Sequence, residues 1–441
     1  MAETVLQEEL RGLVRRYFEQ REEEPFVPGR TRIPLITPSF GWEEVWEALE
    51  SLLSTRVTMG EKVRRFEAAF AQYIGVRHAV MVNSGSSANL LALSILTNPT
   101  APRPLLPGEE VITPAVTWAT TVWPILNVGL VPVLVDVDLN TFNLIPEEVE
   151  KAITTKSRAI MLVHLLGNPC AMDQLTAIAR RHNLMVIEDA CEAHGAEYRS
   201  KKVGAFGELA TFSFFFSHHI STIEGGMIVT SRDDYAELAR SMRVFGWVRD
   251  LKDRVAIAQE HSEIDARFLF VNVGYNLRPT EVQGAFGIHQ MGKLERYVAV
   301  RRENARYWGD TLGALPHLLL HREAQDTRHV WFGYPVVVQA SAPFSRKQLT
   351  DFLEARGVET RPIMAGNIAE QPGLQRFPYR TIGDLPNSRL IHRSAFFFGN
   401  HHGIGTEERE AIAGYFREFI GRAVAPGRRS DRSKPPATRI S

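Results

Sequence analysis

Between residues 79 and 187 short apolar runs alternate with helical segments, and this alternation constrains the fold more than any other feature of the 441-residue chain. Ala79–Val82, Glu110–Ile112, Val131–Val135, Ala159–Val163 and Met185–Ile187 read as strands. Ser87–Leu96, Ala119–Val128, Ile145–Ile153 and Ala171–His182 read as helices between them. Strands that are apolar throughout need cover on both faces, so the pattern predicts an α/β architecture built on a parallel sheet. Upstream, Trp42–Ser54 and Gly60–Tyr73 carry apolar residues three and four apart, which predicts two further helices. The pattern changes near Pro279: Glu281–Arg306 predicts one long helix, followed by the apolar run Val330–Val338, a helix over Arg346–Arg356 and a closing helix over Glu407–Arg422. The expected organisation is an N-terminal helix and linker (1–32), a large domain (33–280), an interdomain helix with a smaller α+β domain (281–423) and a disordered basic tail (424–441).

Composition excludes several functions. Lys and Arg number 51 against 51 Asp and Glu, and a protein that neutralises many phosphates of a nucleic acid normally carries basic excess. The two cysteines, Cys170 and Cys191, cannot by themselves form a disulfide framework, a four-cysteine zinc site or an iron–sulfur cluster. The charged opening segment lacks an apolar signal core, and the longest apolar stretch, Val122–Val137, is broken by Pro124, Asn127, Gly129, Pro132 and Asp136. A soluble, cytoplasmic protein with neither nucleic-acid nor membrane partners is the expectation.

In an open α/β sheet ligands bind beyond the carboxyl ends of the strands, so those ends are where chemistry is sought. The first strand runs into Asn83-Ser84-Gly85-Ser86-Ser87-Ala88, small residues opening a helix, which suit one phosphate group; alone, a plain helix cap would explain them equally well. Neither GxGxxG nor GxxxxGK[ST] occurs there. Trp118, past the second strand, can stack on a flat ring or simply fill the core. Glu188 and Asp189 end an apolar strand, where a carboxylate can face a protonated pyridine nitrogen. The segment Thr211–Phe216 leads into Ser217-His218-His219 and on to Glu224-Gly225-Gly226. The pairs His218/His219 and His401/His402 lack HExxH or Cys/His ligand spacing, so no metal site is expected. In sheet order these residues supply a phosphate nest, a ring stacker, a carboxylate and a base, which together fit pyridoxal phosphate (PLP).

The stretches Ser84–Asn89, Glu188–Gly195, Ser213–Gly226 and Gly274–Arg278 resemble, over roughly residues 33–420, the DegT/DnrJ/EryC1/StrS sugar aminotransferases. The resemblance implies a PLP-dependent fold of type I, like aspartate aminotransferase, whose large domain has a mixed, mostly parallel sheet, and a homodimer with shared active sites. It assigns Gly85 and Ser86 to the phosphate turn, Ser213 to a second phosphate ligand, Trp118 to the ring face and Asp189 to the pyridine N–H. Asn276 corresponds to the residue reaching the neighbouring subunit's phosphate. Glu192 stands where most relatives carry Gln near the cofactor.

One position departs from the aminotransferases. They place a Lys, the covalent anchor of the cofactor, six or seven residues before the acidic residue of the (D/E)GG turn. Here His218 stands six before Glu224, and no lysine falls in that frame. An imidazole makes no stable imine but moves protons near neutral pH. The exchange is similar to that of the family's sugar 3-dehydratases, as is Thr360–Asn367, which contains Arg361. The branch with an iron–sulfur centre is not matched, since Gly246–Asn272 has no cysteine. The other branch uses L-glutamate to convert PLP to pyridoxamine phosphate and removes the C3 hydroxyl of a 4-keto sugar, with His218 shuttling protons at C4′. Trp247, Arg249 and Arg361 are candidate substrate contacts. Phe245 stands where some GDP-sugar relatives carry His, so the carrier stays open among CDP, dTDP, GDP and a nucleoside. Three alternatives remain: an aminotransferase that retains the amine, a catalytically silent cofactor binder, and a metal hydrolase built on the His pairs.

Overall fold

The computed structural model of the chain describes residues 2–21 and 24–424. Its centre is an eight-stranded sheet. In spatial order the strands are His78–Val82, Gly226–Thr230, Leu209–Ser213, Met185–Asp189, Ser157–Val163, Glu110–Pro114, Val131–Val135 and the short Arg380–Thr381. Only Gly226–Thr230 runs antiparallel to its neighbours; every other adjacent pair is parallel. The expected mixed, mostly parallel sheet is therefore present, and each predicted strand between 79 and 187 lies within one of these.

Helices cover both faces. The helix Gly85–Thr97 is apolar nearly all round and buries Leu91, Ile95 and Leu96 among Val80, Val82, Met161 and Ile187. On the opposite face Glu61–Ile74 turns Val63, Phe66, Phe70 and Ile74 inward. Ring centroids of Phe70 lie 4.9 Å from Phe212 and 5.3 Å from Phe214, and burying one such ring stabilises the fold by about 2–3 kcal/mol. The helix Glu281–Met291 crosses so closely that a Cβ on Gly287 would lie 2.6 Å from Phe66 Cε1.

The long helix expected over Glu281–Arg306 is two: Glu281–Met291 and Leu294–Leu312. The apolar stripe continues across the break, which is why periodicity misses it. Gly292 closes the first helix with an N–H bond to His289 O, and Lys293 is held by Glu44 at 2.7 Å. Within the apolar run Val330–Val338 the strand begins only at Gly333, because Trp331 adopts a left-handed backbone (φ +49°). Gly333–Val338 belongs to a second, antiparallel sheet with Leu318–Leu320, Ala395–Gly399 and Thr360–Pro362. Its own core gathers Trp308, Tyr334, Phe396, Phe398 and Phe416. The closing helix extends over Thr406–Val424, so Val424 is helical; the rest of the expected tail, and residues 1, 22 and 23, lie outside the described residues. Among the described residues no helix is long and apolar enough to cross a membrane.

Candidate active site

A cleft of about 710 Å³ opens where the parallel strands end, between the large sheet and the second one. That volume falls in the usual range for small-molecule sites. Gly85, Ser86, Trp118, Asp189, Glu192, Ser213, His218 and Arg361 all line it, although they are scattered over 277 positions from 85 to 361. Trp247, Arg249 and Asn276 do not. Arg249 instead lies over the Trp247 ring at 5.3 Å, and Asn276 accepts from Arg278 Nε at 3.0 Å. Phe245, also outside the cleft, is covered by the Arg278 guanidinium at 5.2 Å.

The phosphate end is built by backbone. Ser84 caps the helix Gly85–Thr97, its Oγ accepting the Ser87 N–H at 3.1 Å. The N–H groups of Gly85 and Ser86 have no intrahelical acceptor, and the helix dipole adds partial positive charge. A Cβ on Gly85 would sit 2.7 Å from Ser213 Oγ, so a bare backbone is required for the helix start and the strand end to meet. The result is a cradle of two N–H groups and one hydroxyl, which fits a phosphate monoester.

Asp189 and Glu188, adjacent on one strand, point to opposite faces as strand geometry demands. Glu188 is consumed in structure: it accepts N–H bonds from Gly204, Phe206 and Gly207 and pairs with His164 at 3.1 Å. Asp189 reaches the cleft, its carboxylate accepting from Asn89 Nδ2 at 2.9 Å, Thr121 Oγ1 at 2.7 Å and the Cys191 N–H at 3.2 Å. Asn89 is itself held by Thr211 Oγ1 at 2.6 Å. These donors hold the carboxylate in place at the cleft. Asn89 and Thr121 were not singled out from sequence, because their role depends on a carboxylate about a hundred and about seventy residues away. Trp118, 54% exposed, stands at the cleft wall with a ring face available for stacking.

Glu192 accepts the Leu166 N–H at 2.7 Å. Burial pushes its carboxyl up to about 8, with the Asp189 charge acting in the same sense, so at neutral pH it holds a proton. At His218 burial acts first and the Arg301 charge second, and together they hold the imidazole down at about 3. Its Nδ1 is buried without a hydrogen-bond partner. His219, next in the chain, turns away and bonds Val330 O through Nε2 at 3.0 Å. His401 and His402 lie in a buried turn, bonded to Pro34 O at 3.0 Å and stacked on Tyr297 at 3.9 Å respectively. Among the described residues no group of three or more His, Cys, Asp and Glu side chains is arranged to hold a metal ion. The remaining wall is apolar, with Leu35, Phe215, Phe332, Met364 and Phe397, and none of the residues lining the cleft is a lysine.

The chain is similar to known proteins along most of its length. The family model described as the DegT/DnrJ/EryC1/StrS aminotransferase family matches residues 39–417. The dTDP-4-dehydro-2,6-dideoxy-D-glucose 3-dehydratase of Saccharopolyspora spinosa is 38% identical over 421 residues, 93% of this chain and 91% of its own length. The GDP-4-keto-6-deoxy-D-mannose 3-dehydratase of Escherichia coli is 39% identical over 365 residues, 82% of this chain and 93% of its own. A crystal structure of a GDP-4-keto-6-deoxymannose 3-dehydratase with a trapped PLP-glutamate geminal diamine aligns with a TM-score of 0.81 at 36% identity, covering 87% of this chain and 99% of that one.

Proposed function

This chain belongs to the DegT/DnrJ/EryC1/StrS aminotransferase family, and on that footing we propose that it is a PLP- and pyridoxamine-phosphate-dependent dehydratase that removes the C3 hydroxyl of a 4-keto sugar, with L-glutamate as amino donor. The observation that carries the reading is a half-buried imidazole, His218, whose buried Nδ1 is unpartnered, in a cleft without lysine. The 3-dehydratases among the relatives support it. The sugar is a nucleotide-linked hexose or the sugar of a nucleoside, in deoxysugar or natural-product biosynthesis.

When bound, the cofactor supplies a ring that takes up the electron pair left behind as a proton leaves C4′. The chain's residues do the rest. Gly85 and Ser86 N–H groups and Ser213 hold the phosphate. Asp189 would hold the ring nitrogen's proton in place, and Trp118 would stack on the ring. Glu192, holding its own proton, offers a hydrogen bond beside the ring rather than a competing charge. His218 takes and returns the proton at C4′. As a neutral imidazole it is in the accepting form, and without a lysine nothing ties the cofactor covalently to the chain. Phe215, Phe332 and Phe397 restrict water at the reacting atoms. Arg361 lies at the cleft wall for substrate; Trp247 and Arg249, which do not line the cleft, are given no part in it.

A homodimer is part of the proposal. Phe268, Phe270, Val273 and Tyr275 form an exposed apolar run, Phe268 being 66% and Val273 90% accessible, and it leads directly into Asn276. Such a run suits a twofold contact, and it would bring Asn276 to the neighbouring subunit's phosphate cradle. Both cysteines are unbridged, in keeping with a cytoplasmic setting.

The test is the visible spectrum of the purified protein with PLP before and after L-glutamate, followed by borohydride and denaturing mass spectrometry. Loss of the PLP band with 2-oxoglutarate formation and no protein adduct is expected, and His218→Asn is to slow that conversion by about 10²–10⁴-fold while still binding PLP. A borohydride-locked lysine would overturn the reading. With a 4-keto sugar, ammonia release marks the dehydratase and a new sugar amine marks an aminotransferase.

A further inference from the structure

Arg301 stands on the helix Leu294–Leu312, in the stripe of Leu294, Tyr297, Val298, Ala305 and Trp308 that faces the core. It is 4% exposed, and no carboxylate among the described residues is paired with it. Its Nη1 donates instead to three backbone carbonyls: Phe332 at 2.8 Å, Trp331 at 3.4 Å and Asn400. Its Nε has no partner. Buried cations are normally matched by an anion, because an unmatched one is expensive to keep in a fold. Here the surroundings are imidazoles: His194, His218, His219, His401 and His402 all feel its charge.

We propose that Arg301 is a positioning residue for His218, fixing the strap Val330–Phe332 beside the imidazole and setting an unpaired buried cation behind it. The inference rests on the reading of His218 as the base. The strap is what Arg301 grips. Phe332 packs its ring 5.3 Å from His218, Val330 O bonds His219, and Trp331 between them adopts the left-handed backbone that a bulky residue rarely takes. Asn400 ties the arrangement by donating from Nδ2 to Trp331 O and to Arg301 O, both at 3.1 Å.

No neighbouring anion cancels the charge at His218. His194 lies 6.0 Å away, ring to ring, and is itself held neutral by burial first. Glu192 keeps its proton, and Asp189 is engaged by Asn89, Thr121 and the Cys191 N–H. Glu359, on the far wall with Arg361, is paired with Arg32 at 2.9 Å and Arg361 at 3.2 Å. Glu224 shares the cleft, and at His218 burial and the Arg301 charge act in the same direction.

The test is NMR titration of isotopically labelled histidines in the full chain, cofactor-free and PLP-loaded, with His218→Asn providing the assignment. Wild-type His218 is expected to stay neutral down to about pH 5. Arg301→Met is to raise its titration by about one unit or more, whereas Arg301→Lys, which keeps the charge, is to hold it near the wild-type position. The acid limb of the glutamate half-reaction should move with Met and stay with Lys. Should Arg301→Met not fold, Arg301→Gln, which keeps a donor for the strap carbonyls but removes the charge, is expected to raise the His218 titration in the same direction. A His218 already protonated at pH 6 in the wild type, equal titrations for Met (or Gln) and Lys, or no shift in Arg301→Gln would each overturn the proposal. The cofactor-free titration does not depend on any sugar, so it can fail while the dehydratase reading stands, and the reverse.

Discussion

Glu192→Gln tests the electrostatics of the cleft floor. The wild-type carboxyl is held up at about 8 by burial against an ordinary 4.5. Between those values the folded chain keeps a proton that the unfolded chain has lost. The associated stability is therefore fully present below pH 4.5, falls as pH rises through the window, and is gone above about 8. At pH 7 the unfolded carboxyl sits about 2.5 units past its titration, which at about 1.4 kcal/mol per unit costs the fold about 3 kcal/mol. Water reaching the cleft screens part of that, leaving about 2 kcal/mol. Gln never ionises, and its Oε1 can accept the Leu166 N–H that Glu192 accepts at 2.7 Å. With an unfolding entropy of about 0.9 kcal/mol/K for a chain this long, the gain is a rise in Tm of roughly 2–3 °C. Scanning calorimetry of the cofactor-free protein should show that rise near pH 7.5 and its disappearance by about pH 5. A wild-type Tm that is flat across this range relative to the variant, or a variant that melts lower at every pH, would refute the reasoning.

Gly85→Ala drives a methyl against Ser213; overpacking of about 1–3 kcal/mol at the cradle should weaken PLP binding by roughly 5–150-fold in an absorbance titration, and unchanged affinity would remove these groups from the phosphate site. Thr121→Val keeps shape but takes one donor from Asp189. It should lower stability by about 1.5–3 kcal/mol in urea denaturation and weaken PLP binding as well, whereas a stability loss with PLP affinity intact would separate Asp189 from the ring. Phe268→Asp places a charge in the exposed apolar run and should shift sedimentation from dimer toward monomer; a wild-type chain that sediments as a monomer would count against the shared site.

Much of the site is legible in sequence because its parts stand at strand ends, where a single-strand reading suffices. Asp189 and Ser213 each follow a run of buried residues that fixes their direction, and Gly85 and His218 stand in the turns a few residues beyond such runs. What escapes is whatever depends on packing between distant segments. Asn89 and Thr121 look like ordinary helix residues until the fold sets Asp189 beside them. Arg301 looks like one more basic residue on a charged helix, yet it falls in the buried stripe between Val298 and Ala305, and that mismatch of period and polarity was a usable signal. The break at Gly292 is hidden for the opposite reason, since the stripe resumes in phase after it. The strands Leu318–Leu320 and Ala395–Gly399 were passed over because they are short apolar runs whose partners lie elsewhere in the chain.

The strand Arg380–Thr381 has a consequence for the newborn chain. Its pairing with Val133–Leu134, pinned by the Arg380–Glu110 ion pair at 3.0 Å, supplies the last row of the large sheet from far downstream. During synthesis Val131–Val135 leaves the ribosome as an apolar, parallel edge long before its cover exists. Until residue 381 emerges, that edge is open to any other unfinished copy. Forms that stop short of residue 380 should therefore accumulate as aggregates, even when every residue of the cofactor cradle has already been made.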